Sequence, residues 1–319
     1  MSFNNKYMKG PIRLLGASPF TFNQNGNIQV PHNIELAINR GSGSIYPGWV
    51  GNMTGKPTVQ CETTELARVL GTINPLSGLS ISSTDTYTGA DFYFMKRQKA
   101  GTLVSGSTNL KLTTSAAMAV IKSISADQDK EAKMSLEFYP YSTNGTTAQL
   151  SYTTNNAALQ SVIPSEKFTL GPVLLNGTEI DGLIGVSIDF AVVAKLDGSS
   201  GALWPEWTGI ESVTPKITFK TRDLSLASTV ALLGLAQGAT QTDIYFRKLA
   251  LGGGRTANVT TEHIRVRVNA SQGMHVIDSL GGSEVADAEG SFIIQPHEGW
   301  IAGPTLAPVL SFSVAAAIP

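Results

Sequence analysis

The chain repeats itself along its length, and that repetition limits its architecture more tightly than any single motif. Shifted by 158 residues, "SGSIYPGWVGNMTGKPTVQCETTEL" (42–66) lies without a gap on "SGALWPEWTGIESVTPKITFKTRDL" (200–224). Ser42/Ser200, Gly43/Gly201, Pro47/Pro205, Trp49/Trp207, Gly51/Gly209, Pro57/Pro215, Thr63/Thr221 and Leu66/Leu224 are identical. Tyr46/Trp204, Val59/Ile217, Cys61/Phe219 and Glu65/Asp223 are replaced in kind. Elsewhere the offset drifts by a few residues, as loops of unequal length would cause. "GPIRLLG" (10–16) matches "GPVLLNG" (171–177), and "DFYFMK" (91–96) matches "DIYFRK" (243–248). "MAVIKSI" (118–124) matches "MHVIDSL" (274–280), and "LSYT" (150–153) matches "LSFS" (310–313). A unit of about 150 residues is the size of a domain, not of a solenoid or propeller repeat. The expected organisation is two tandem domains, 1–160 and 161–319.

Within each unit, alternation with period 2 dominates. "KPTVQCET" puts Val59 and Cys61 on one face, and "PKITFKT" does the same with Ile217 and Phe219. "NLKLTT" and "HIRVRVNA", "KMSLEFYP" and "GSFIIQP", and "AQLSYTT" and "PVLSFSVA" follow the same rule. Turn residues at short spacing between such segments predict an all-β sandwich or barrel. One helix per unit is also expected. "TTELARVLGTI" offers Thr63 or Thr64 as N-cap, Glu65 in the first turn, and Leu66, Val69, Leu70 and Ile73 at helical spacing. "TRDLSLASTVALLGL" keeps Thr221 and Asp223 with a weaker period. The predicted fold is therefore mainly β, two tandem duplicated β-sandwich or barrel domains, each with one flanking helix.

Composition narrows the functional classes. Charged residues are only 15% of the chain and the net charge is -1, which argues against the basic domain of a usual nucleic-acid binder. The single cysteine, Cys61, rules out an intrachain disulfide framework. No apolar run approaches the ~18 residues of a membrane span, and "MSFNNKYMKG" lacks an apolar signal core. A soluble protein of a reducing compartment is expected, with no membrane partner.

Candidates for chemistry are few. His32, His263, His275 and His297 show no metal-ligand spacing, and none has an equivalent in the other unit. Cys61 aligns with Phe219, which marks an apolar slot rather than a nucleophile. "LGGGRTA" around Gly252 to Gly254 lacks the lysine of a phosphate-binding loop and reads as a hairpin tip. Asp189, Glu206, Glu211 and Asp223 have no spacing that selects a carboxylate pair. Asp91 and Asp243 recur before "YF" and read as turn-capping Asx residues. The basic cluster Lys96, Arg97 and Lys99, echoed by Arg247, Lys248 and Arg255, reads as a solvated hairpin or a subunit contact. No catalytic residue, cofactor or metal ligand is expected. Tyr46, Trp49, Trp204 and Trp207, set around Pro47 and Pro205, read as packing anchors, with exposed carbohydrate-stacking residues as the alternative.

The order of features in each unit resembles the tail tube (major tail) protein of long-tailed bacteriophages, a fold similar to that of type VI secretion tube proteins. A Gly/Pro turn leads into a strand and then "TTEL" or "TRDL". A long hairpin region follows ("DFYFMKRQKAGTLVSGSTNLKL", "DIYFRKLALGGGRTANVTTEHIRVRV"), then "AKMSLEFYP" or "EGSFIIQP" and a short last strand. The resemblance implies a structural virion protein, assembled in the bacterial host cytoplasm into homotrimeric, pseudo-hexameric rings. Such rings stack around a channel that holds the tape-measure protein and later conducts DNA during ejection. The lumen is expected to be mainly acidic, so that double-stranded DNA passes without sequence-specific binding. Terminator and distal tail proteins would be further partners. A distal tail or tail-terminator ring protein and a duplicated carbohydrate-binding module are the alternatives.

Overall fold

The computed structural model describes residues 6–40, 45–97, 104, 108–157, 166–226, 241–250, 252–270, 272–283, 286–297 and 309–319. It is mainly β, and its sheets are antiparallel. A first five-stranded sheet has the order β11 (Leu150–Asn156), β8 (Asn109–Thr114), β7 (Tyr87–Arg97), β1 (Lys6–Gly16) and β2 (Phe20–Phe22). Another five-stranded sheet has the order β13 (Thr178–Glu179), β12 (Lys167–Leu175), β18 (Thr242–Leu249), β19 (His263–Val268) and β22 (Ser311–Ala316).

The largest sheet among the described residues has eight strands. Its path is β20 (Gly273–Ser283), β21 (Ala286–Pro296), β17 (Lys216–Thr221), β14 (Leu183–Asp189), β9 (Ala117–Asp127), β10 (Lys133–Pro140) and β5 (Val59–Thr63), with β6 (Leu79–Ile81) also on β9. Two hairpins stand apart: β3 (Ile34–Asn39) with β4 (Trp49–Gly55), and β15 (Val193–Asp197) with β16 (Trp207–Ser212). No helix among the described residues is long and apolar enough to cross a membrane.

The strands follow from the alternation. In β5, Val59, Cys61 and Thr63 are buried while Gln60 is exposed, and β17 buries Ile217, Phe219 and Thr221. One apolar cluster joins the sheets, including Ile12, Phe92 and Leu112 from the first, Val173, Phe246 and Val266 from the second, and Ile121, Phe138, Ile188 and Phe292 from the third. Phe92 of β7 meets Phe138 of β10 edge to face, with centroids 5.0 Å apart, which is how a sandwich fills its interior.

The registers match between the halves at several of their irregularities. The β1–β7 ladder is broken between Lys9 and Ile12, and the β12–β18 ladder between Leu170 and Val173. On β10, Ser135 faces Ser123 but Leu136 faces Ile121, so β9 bulges at Lys122. On β21, Ser291 faces Ser279 but Phe292 faces Ile277, so β20 bulges at Asp278. A bulge bends and twists a strand at one residue, so both pairs of strands curve at aligned places.

The helix differs from expectation. α1 spans Leu66–Leu70 only, with Glu65 at the N-cap position and neither threonine capping it. The hydroxyls are engaged elsewhere: Thr63 Oγ1 accepts the Glu65 amide, and Thr64 Oγ1 accepts from the Asn25 side chain. The second expected helix falls at 227–240, outside the described residues.

Candidate assembly interface

The eight-stranded sheet crosses the two halves at one seam, β9 with β14. Its register is Ala126↔Val186, Ser125↔Ser187, Ile124↔Ile188 and Ser123↔Asp189. Ile124 and Ile188 are fully buried there. Each strand of the seam has a counterpart at an outer end of the same sheet.

The counterpart of β9 is β20, whose outward edge has no strand beside it among the described residues. Leu280, aligned with Ile124, is 50% exposed. The counterpart of β14 is the segment around Gln29 that runs beside β5. Gln29 and Gln60 exchange both backbone hydrogen bonds, at 2.9 and 2.8 Å, and the Asn25 amide donates to the Glu62 carbonyl at 2.9 Å. Ser187 faces Thr218 of β17 in the same way that Gln29 faces Gln60 of β5. The sheet thus ends in the two halves of a seam it has already made once.

The hairpins add a second junction. At its turn, β15–β16 reaches onto the first half of the chain. The Leu203 and Trp204 amides donate to the Gly145 carbonyl at 3.0 and 3.1 Å, and the Gly55 amide donates to the Leu203 carbonyl at 3.1 Å. The Ser142 amide donates to the Pro205 carbonyl at 2.7 Å. The Trp204 ring lies on Gly55, where a Cβ would overlap it. In the β3–β4 turn the aligned residues Ile45, Tyr46 and Pro47 are all exposed, Tyr46 by 72%. Both hairpins are otherwise built alike: Gly48 donates to the Asn39 carbonyl and Glu206 to the Asp197 carbonyl. The Trp49 and Trp207 rings lie over Gly51 and Gly209, two residues along the same strand.

The residues singled out from the sequence are scattered by the fold. Asp91 and Asp243 are not turn caps; they lie buried inside β7 and β18. Asp91 accepts from Thr113 Oγ1 at 2.6 Å and lies 3.3 Å from Lys111 Nζ. Asp243 takes Arg267 through Nε at 2.6 Å and a second nitrogen at 3.0 Å. A bidentate, half-buried pair of this kind is strong for a surface-facing sheet. Asp243→Ala should therefore cost about 2 kcal/mol of folding stability, read as a lower denaturant midpoint at unchanged slope.

His263 has a counterpart after all, though not a histidine. Its Nδ1 accepts the Lys248 amide at 3.1 Å, and Asn109 Oδ1 accepts the aligned Lys96 amide at 2.8 Å. Residue type hides the equivalence, because imidazole and carboxamide perform the same backbone-capping task. His275 meets Thr242 Oγ1 at 3.0 Å, and His32 meets the Tyr152 hydroxyl at 2.9 Å. The His297 amide donates to the Gln272 carbonyl. Cys61 is buried, and burial pushes its thiol up, away from thiolate chemistry. Gly252 and Gly253, both at positive φ, form a tight turn closed by Ala250 and Gly254.

Asp189 accepts the Ala191 amide, and Asp223 accepts the Ser225 amide and hydroxyl. Hydrogen bonds from Ser199, its hydroxyl first and then its amide at 2.8 Å, hold the Glu206 carboxyl below the ordinary range. Glu211 is exposed on β16. Lys248 pairs with Glu262 at 3.0 Å and Arg255 with Asp129 at 3.8 Å, while Arg247 lines an open cleft beside Glu179 and Asp181. Lys96 and Arg97 end β7, and Lys99 lies outside the described residues.

One buried group was read only as a helix signal. Glu65 is fully buried, with Asn23 Nδ2 at 2.5 Å and Arg68 at 3.1 Å, and Arg68 in turn donates to the Thr21 carbonyl. Burial raises its pKa against the opposing pull of Asn23 and Arg68. This cluster ties the segment after β2 to the start of α1. Among the described residues, no three His, Cys, Asp or Glu side chains gather to hold a metal ion. No protein-family model matches the chain, and no curated protein matches it.

Proposed function

We propose that the chain is a ring-forming structural protein, a duplicated tail tube protein of a bacteriophage virion. One observation carries this reading: the eight-stranded sheet joins the aligned halves at β9–β14 and ends in the counterparts of those two strands. A sheet with such ends extends head to tail, the β20 edge of one copy taking the Gln29 segment of the next. A heterologous contact of this kind closes into a ring when its rotation permits and otherwise propagates as a filament. Three chains closing on themselves give six alike seams, and closure removes exposed sheet edges.

In that ring the face of the sheet turned from the core lines the channel. Asp127, Asp189, Glu289, Lys133, Lys216 and Lys220 are exposed on it, among polar Gln60, Ser125 and Ser187. Such a surface is polar and of mixed sign. The tape-measure protein and then double-stranded DNA pass along it without sequence readout. Negative-stain microscopy of the purified chain tests the reading. Rings or tubes with a central hole and threefold averages are expected. Single rings that never stack would make it a terminator or distal tail component. A monomer that persists at high concentration and varied salt would refute ring formation altogether.

A further inference from the structure

We infer that the Tyr46 turn of each chain docks on the second half of a neighbouring copy, with Tyr46 lying over Val213. The inference rests on the ring reading above and specifies a contact outside the strand seam. Its template is inside the chain. The Trp204 turn already crosses to the first half, where the indole lies on Gly55 and four backbone hydrogen bonds fix the turn. Tyr46 aligns with Trp204, and Val213 aligns with Gly55 under the same shift. Pro205 is buried at its junction, whereas Pro47 and its neighbours are exposed.

The residue sizes support the pairing. The larger ring sits on glycine, where any Cβ would overlap it, and the smaller phenol is matched to valine. Exchanging volume between two facing positions keeps a contact close-packed. Val213 is half-buried at the margin of the core, so it presents a firm apolar base. In the docked arrangement the Val213 amide stands where Gly55 donates to Leu203, with the Ile45 carbonyl as acceptor. The direction agrees with the seam, since both contacts join the first half of one copy to the second half of another. Exposed Ile45 and Val50, which flank Tyr46 and Trp49 on this hairpin, extend the apolar patch.

A swap of the pair tests the contact. Tyr46→Trp places an indole over Val213 and is expected to weaken assembly about tenfold, the scale of an overpacked contact. Adding Val213→Gly recreates the Trp204–Gly55 pair and is expected to restore assembly to within about threefold. Tyr46→Ala is expected to weaken assembly about tenfold or more, as loss of an aromatic anchor does. Sedimentation over a concentration series reads all four proteins, and circular dichroism confirms that each is folded. Wild-type rings with Tyr46→Trp and Tyr46→Ala both assembling normally would overturn the docking and leave the ring reading standing. A Tyr46→Trp defect that Val213→Gly does not repair would also overturn it. A wild-type chain that never assembles would overturn both.

Discussion

Leu280→Lys is expected to leave the monomer folded and to abolish ring formation. Leu280 lies on the outward edge of β20, 50% exposed, facing Gly290 of β21 on its inner side. In the proposed seam it meets Val30 of the next copy, as Ile124 meets Ile188 within the chain. A lysine there puts an ammonium into a contact whose counterpart is fully buried. Edge lysines are a natural means of blocking strand addition. The expected loss of association exceeds about a hundredfold, the scale of a central interface residue. Stability of the isolated chain should change by no more than about 0.5 kcal/mol, since half of the side chain is already in solvent. Size-exclusion chromatography with light scattering reads the first effect and thermal unfolding the second. Rings that survive this substitution would place the seam elsewhere.

Much of the β architecture was legible because a strand's alternation is a local signal. Val59 and Cys61, and Ile217 and Phe219, point inward as their spacing requires. The matching bulges at Lys122 and Asp278 were not legible, because nothing in "VIKSI" or "VIDSL" distinguishes a bulged residue from a paired one. The buried aspartates were misread for a related reason. "ADFYF" places Asp91 next to a turn-like Gly-Ala, yet β7 runs through it and its partner Thr113 is 22 residues away. Long-range pairing of this kind leaves no trace in a short window. The short α1 illustrates the same limit, since Thr64 is withdrawn from capping by Asn25, far along the chain.

The aromatic turns needed the structure for a different reason. The sequence shows "SIYPGW" and "ALWPEW" as equivalents and so suggests one common role. Burial separates them: Trp204 and Pro205 are seated on the other half of the chain, and Tyr46 and Pro47 are exposed. In the ring proposed above, one member of each equivalent pair would meet its neighbour within the chain and the other would meet it across chains. In the proposed ring, likeness of sequence argues for likeness of contact, and its greater exposure assigns the Tyr46 turn to the contact between chains.

The companion to Leu280→Lys is the same substitution at its counterpart, Ile124→Lys, and its expected outcome is opposite. Ile124 is buried at the centre of β9, with Met134 of β10 on one side and Ile188 of β14 on the other. Both of those neighbours are apolar and buried, so an ammonium there has no charge to pair with. Its burial should cost more than about 4 kcal/mol, a large share of the 5–15 kcal/mol that typically separates folded from unfolded states. Ile124→Lys is expected to remove the cooperative unfolding transition or to leave the chain protease-sensitive at room temperature. The paired result discriminates sharply, because one chemical change at two aligned positions differs only in whether the seam is already closed. Unfolding by Ile124→Lys with dissociation alone by Leu280→Lys is what one sheet, closed once within the chain and again between chains, requires. If Ile124→Lys is tolerated, the β9–β14 seam contributes little, and a ring built on copies of it loses its template.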